Sequence, residues 1–226
     1  FDKDIERAEA LYAQGVTVEA TKPDLAADLF RSAVAFGVGA LDAYLCDAYV
    51  DCLTRALRAC RSDKTKKLPA EYRKELLPVG PLVSNKYTKR MNWALRMAAR
   101  IRMEKDNLLK LGRVKDMLNP VLPVGQKLWV DLAETFVDLN RRGLTGTIQA
   151  EFKADRDKQK ARERVAGAVL RRIGAIVERR HNVVHNCDRP RTAIQGMPRS
   201  LAKGMIADIK SFVTILDDHL EKHRRF

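Results

Sequence analysis

Two arginines, two histidines, two amides, a thiol and a carboxylate crowd one short run: Arg179, Arg180, His181, Asn182, Val183, Val184, His185, Asn186, Cys187 and Asp188. An imidazole titrates near neutrality and can take or give a proton, whereas a guanidinium stays charged and stabilises anionic oxygens. His181 and His185 are four apart, so a helix sets them on one flank. Two chemistries suit such a set. One is metal binding through the histidines and Cys187; against it, the stretch from His181 to His185 lacks the glutamate of a metalloprotease helix, and no cysteine pair completes a tetrahedral site. The other needs no metal. RNA carries its own nucleophile, the 2′-hydroxyl beside the phosphate; His185 would move the proton and Arg180 would stabilise charge on the phosphoryl oxygens. One helix offers a single set, while cleavage calls for both an acid and a base, and a homodimer would bring the second set across a two-fold axis.

The element that must position these groups is a long amphipathic helix starting at about Lys158. Val165, Val169, Ile173, Ile176 and Val177 recur at three- and four-residue steps, the stripe of a core-facing helix. The same stripe runs on to Arg180, Val183 and Val184, so Arg180 stands at the edge of a core and needs an anion close by. Arg179 is expected to meet backbone phosphate or solvent.

A second long helix opens at Pro23 and reaches Leu57, with no charge from Ser32 to Leu41. Asp42 interrupts that apolar run. Either it tilts to solvent, or it meets Arg180 in a partly buried pair. Gly37 and Gly39 would admit a close neighbour. The remaining expected helices are residues 4–12 ended by Gly15, a short one within 69–77, 86–103, 127–139, 148–156 capped by Thr147, and a last one from Pro198 or Ser200. Strand-period alternation is absent, which predicts an all-α fold, an antiparallel helical bundle.

Lysine and arginine outnumber the acids 43 to 29, a formal charge of +14, and 46% of residues are hydrophobic. That balance suits a globular chain with a polyanionic partner, nucleic acid before membrane surface. Lys86, Lys89, Arg90 and Arg96 make residues 86–103 strongly basic, with Tyr87 and Trp93 available to stack bases. A solvated face and an RNA-guiding groove both account for them. Cys46, Cys52, Cys60 and Cys187 show no close pairing and read as reduced thiols. Neither signal peptide nor apolar membrane span is evident, and glycine-rich phosphate loops and nucleophile elbows are missing.

The run from Arg180 to His185 resembles the R-x4-6-H signature of HEPN-domain ribonucleases. Glu178, Arg179 and Arg180, followed by His185, Asn186, Cys187 and Asp188, are similar to the RiboL-PSP-HEPN-like branch. So are the apolar helix carrying Asp42 and the final helix after a short loop. The resemblance covers about half of the chain. It implies one HEPN-like domain over residues 1–226 with a basic helical insertion at about 61–123. It also implies homodimerisation through the motif helices and metal-independent endoribonuclease activity leaving 2′,3′-cyclic phosphate ends. Toxin-antitoxin or phage-defence roles in the cytoplasm, with an antitoxin or activating protein as partner, would follow. No cofactor, metal or membrane is expected. Arg180 is assigned to the phosphate and His185 to proton transfer, with His181 and Asn182 as further catalytic candidates, Asp42 supporting, and Arg179, Lys86, Lys89, Arg90 and Arg96 contacting RNA. His181 stands where the family more commonly has asparagine or aspartate. The second reading is a non-catalytic HEPN-like RNA-binding or dimerisation module within a defence or regulatory complex.

Overall fold

Apolar side chains at helical steps give helices, and every regular element among the described residues is helical. The structure is a computed structural model that describes residues 1–84, 90–103, 108–133, 135–136, 158–189 and 193–226. In chain order the helices are α1 (Asp2–Val18), α2 (Pro23–Ser62), α3 (Ala70–Arg73), α4 (Gly80–Val83), α5 (Met91–Met103), α6 (Leu111–Leu118), α7 (Leu128–Asp131), α8 (Lys158–Asn186) and α9 (Arg199–His223). A 3-10 turn at Asn119–Val121 follows α6. The helix expected over 148–156, residues 137–139, and the candidates Lys86 and Lys89 lie outside the described residues.

Two compact units emerge, Phe1–Ala43 with Leu132–Leu216, and Tyr44–Asp131 with Asp217–Phe226. Helix α8 belongs to the first. The stretch 61–123, expected as an insertion, lies inside the second.

In the first unit α8 buries Val165, Ile173 and Ile176 of the stripe that its periodicity marks, leaves Val169 and Val177 half-buried, and adds Ala161, Ala166 and Ala168 to the core. Helix α9 contributes Ile209, Phe212, Val213 and Leu216, and the rings of Phe212 and Phe136 stack with centroids 5.8 Å apart. Gly15 does not end α1, which continues to Val18. A Cβ there would lie 2.6 Å from the Phe30 ring, so the glycine is a point of close approach to α2 rather than a stop. Gly37 is likewise packed, with Ile209 Cδ1 at 3.4 Å from a built Cβ, whereas Gly39 faces open space. By length and composition α2 is apolar enough to cross a membrane, its best window having mean hydropathy 1.3, of which 44% is buried inside the structure. The expectation that no stretch reaches that level is corrected: apolar residues face inward and outward alike, as exposed Phe36 shows.

The second unit packs Leu45, Tyr49 and Leu53 of α2 with Tyr72, Ala94, Leu118 and Leu128 in its core. Tyr72 meets Tyr49 edge-on and donates its hydroxyl to the Met117 carbonyl at 2.7 Å. Burial pushes the Cys52 thiol up to about 12. None of the four cysteines forms a disulfide.

Candidate active site at the end of α8

Helix α8 stops at Asn186 because the next two residues take left-handed backbone angles, Cys187 at φ 45° and Asp188 at φ 58°. The Asp188 N–H then donates to the Asn182 carbonyl at 2.9 Å, reaching back six residues to satisfy one of the open carbonyls of the helix end. Glycine is the usual residue for such angles, and neither of these is glycine. The turn is held in place by what Asp188 does next.

Asp188 is fully buried. Its Oδ2 accepts Arg31 Nε and an Arg179 terminal nitrogen, each at 2.7 Å. Those two arginines also donate to the Gln195 carbonyl, and Arg179 to that of Gly196 at 3.0 Å. The Gln195 N–H returns a bond to the Asp188 carbonyl at 2.9 Å. One carboxylate thus ties α2, α8 and the segment before α9 together. The expectation that Arg179 contacts RNA is thereby corrected. Its side chain is only 10% exposed, and one terminal nitrogen is spent on Asp188 and two backbone carbonyls while the buried Nε has no partner. Arg180 lies on the apolar stripe and Arg179 beside it, and the turn delivers its carboxylate to Arg179.

Arg180 is different. Its half-buried guanidinium makes no hydrogen bond or ion pair with another of the described residues, and its charge acts on Asp42. No direct ion pair joins the two, so the structure gives Asp42 an electrostatic, not a bonded, relation to Arg180. His181 and His185 are exposed, with ring centroids 4.5 Å apart and planes at 45°. Asn182 is half-buried, its Oδ1 accepting Asn186 Nδ2 at 3.2 Å while its carbonyl closes the helix. A free guanidinium and two exposed imidazoles thus lie within two turns of one helix. Such a set can bind an anion and move a proton beside it. Among the described residues no three histidine, cysteine, aspartate or glutamate side chains are grouped to hold a metal ion.

Burial holds the Asp42 carboxyl above the ordinary carboxylate range, and the Arg180 charge only partly opposes this. A raised value in the fold favours the protonated form. That contribution is complete below the ordinary aspartate value of 3.8 and fades as pH rises through the raised value, so at pH 7 the ionised group costs stability. Asp42→Asn is therefore expected to match or exceed the parent in melting temperature at pH 7, its advantage growing from pH 4 upward; thermal melts across that range check it, and a lower melting temperature at pH 7 refutes it. Cys187→Gly tests the turn. Relieving the left-handed strain at this exposed position should add about 0.5–1 kcal/mol in urea unfolding, and a loss of stability would contradict it.

Arg90 is exposed, and Arg96 donates to Asp51 at 3.1 Å in the second unit. Sequence reasoning passed over Arg31 and the burial of Asp188. The available signal was an acid just past a helix end in a chain short of acids, with Arg31 at the edge of an apolar run. No family model, curated protein or solved structure matches this chain.

Proposed function

We propose that the protein is a metal-independent endoribonuclease of HEPN type, acting as a homodimer through its motif helices. The observation that carries this reading is the contrast between neighbours. The fold consumes the Arg179 guanidinium on Asp188 and leaves that of Arg180 without a bonded acceptor. A fixed cation left unsatisfied at a core edge suits a phosphate. One turn further on, His185 is exposed and able to exchange a proton with a ribose hydroxyl or a leaving oxygen.

In the proposed reaction the RNA 2′-hydroxyl attacks the adjacent phosphorus, a histidine removing its proton. The bond to the 5′-oxygen breaks, that oxygen takes a proton from the second set of the dimer, and a 2′,3′-cyclic phosphate and a 5′-hydroxyl remain. Arg180 stabilises the charge that builds on the phosphoryl oxygens. Asp42 orients Arg180 through its field, while His181 and Asn182 assist at the flank. Toxin-antitoxin or phage-defence roles in the cytoplasm suit this chemistry, with an antitoxin or activating protein as partner. The test is incubation of the purified protein with total RNA in EDTA, followed by mapping of fragment ends. Cyclic phosphates are expected. Uncut RNA, or ends bearing 3′-hydroxyls, would count against the reading.

A further inference from the structure

The last three turns of α2 carry Arg55, Arg58 and Arg61 at three-residue steps, hence along one side of the helix. Together with Arg90, Arg96 and Trp93 at the start of α5 they line an open cavity of about 800 Å³, wholly within the second unit. That volume falls in the range of roughly 300–1,000 Å³ usual for small-molecule sites.

The charges in this cavity do not balance. Among the described residues, five guanidinium groups face one lining carboxylate, Asp51. Asp51 is already shared, its Oδ2 accepting Arg55 at 2.6 Å and Arg224 at 3.2 Å and its Oδ1 accepting Arg96 at 3.1 Å. Arg58, Arg61 and Arg90 form no ion pair with a described residue, and all three are exposed. Forked, permanently charged donors of this kind fit phosphate oxygens two at a time. On the wall beside them Trp93 is 50% exposed, unlike Trp129, which is 5% exposed and belongs to the core. An indole left open next to arginines offers a face for a planar ring. The third feature is Thr54, also lining the cavity, which is 5% exposed and whose Oγ1 is buried without a hydrogen-bond partner. A hydroxyl so placed has a donor and acceptor still to use.

We infer that this cavity binds a nucleoside phosphate, its phosphate on Arg58, Arg61 and Arg90 and its base against Trp93. The ligand is either a free nucleotide or one nucleotide of a single-stranded RNA. The site shares no residue with the α8 motif, so it stands whether or not the chain cleaves RNA.

The full-length His185→Ala protein, which keeps RNA substrate intact if the chain does cleave, is titrated with adenosine monophosphate, an oligoadenylate RNA and inorganic pyrophosphate while tryptophan fluorescence is read. Saturable quenching by the nucleotide or the RNA is expected, and its absence in Trp93→Phe identifies the responding ring. RNA binding at least tenfold tighter than the nucleotide points to a strand as ligand; equal affinity points to the free nucleotide. Arg58→Ala with Arg90→Ala should weaken binding at least tenfold, and since both side chains are exposed the fold is kept, as circular dichroism will verify. Trp93→Ala, titrated by calorimetry because the reporting ring is gone, should bind the nucleotide about tenfold more weakly than the parent in the same assay and bind pyrophosphate unchanged. The inference is overturned if no probe quenches saturably, if the double arginine variant binds as the parent does, or if pyrophosphate binds as tightly as the nucleotide.

Discussion

His185→Ala is expected to lower RNA cleavage by about a thousandfold while leaving the fold intact. Proton transfer to and from oxygen is the step that the proposed chemistry cannot do unaided, and general acid–base groups contribute about 10²–10⁴ to such reactions. The structural half of the expectation follows from the environment of the side chain. His185 is exposed and makes no hydrogen bond with a described residue; its neighbour is the His181 ring. Surface substitutions of this type change stability by about 0.5 kcal/mol or less. Initial rates on a labelled oligoribonucleotide, read beside a thermal melt, separate the two effects. A rate within twofold of the parent excludes His185 from the chemistry, whereas a collapsed melt would mean the imidazole supports the helix end.

Asp188→Ala should act the opposite way, through the fold. Two guanidinium groups, 12% and 10% exposed, converge on a carboxylate that is wholly buried. Removing one member of such a cluster leaves the others charged and poorly solvated, which costs about 3–5 kcal/mol. Loss of a side chain tolerated at left-handed angles adds to it, since alanine at φ 58° is strained. Asp188→Asn should cost clearly less. The Oδ1 of Asp188 already lacks a partner, so an asparagine that turns its Nδ2 that way keeps an acceptor on both arginines. Urea unfolding of the three proteins gives the ranking; a loss below about 1 kcal/mol for the alanine variant would show that Arg31 and Arg179 hold the turn without it.

The long helices α2 and α8 were readable because their signals are local. Pro23 marks the start of α2, and the steps from Val165 to Val177 mark α8 from Lys158. Asp42 was conspicuous as the one charge in an apolar run, but neither alternative read from the sequence, a carboxylate tilted to solvent or a partly buried pair with Arg180, describes it: it is half-buried and feels Arg180 only through its charge. Other features depend on contacts distant in sequence. Whether Arg179 or Arg180 is satisfied depends on where Asp188 lands, and Asp188 is fixed by Arg31, 157 residues away. Periodicity cannot resolve that, since it sets Arg180 on the stripe and Arg179 beside it but says nothing of the carboxylate that reaches Arg179. Helix α6 went unread because eight residues give little periodicity and Lys110 supplies no side-chain cap. Gly15 looked like a terminator and is a contact, for the ring that requires it comes from another helix. Arg90, Arg96 and Trp93 stood out in composition, but the three arginines of α2 that face the same cavity could be joined to them only in three dimensions.

The proposal that RNA supplies its own nucleophile to Arg180 and His185 has one direct measurement. A labelled oligoribonucleotide is cut by the protein in EDTA, the cleaved position is identified, and the same strand is made with a single 2′-deoxynucleotide there. Cleavage at that position should fall by at least a thousandfold while neighbouring sites are unaffected. Equal cutting of the deoxy strand would mean that the attacking oxygen does not come from the ribose, and the roles given to Arg180 and His185 would be wrong.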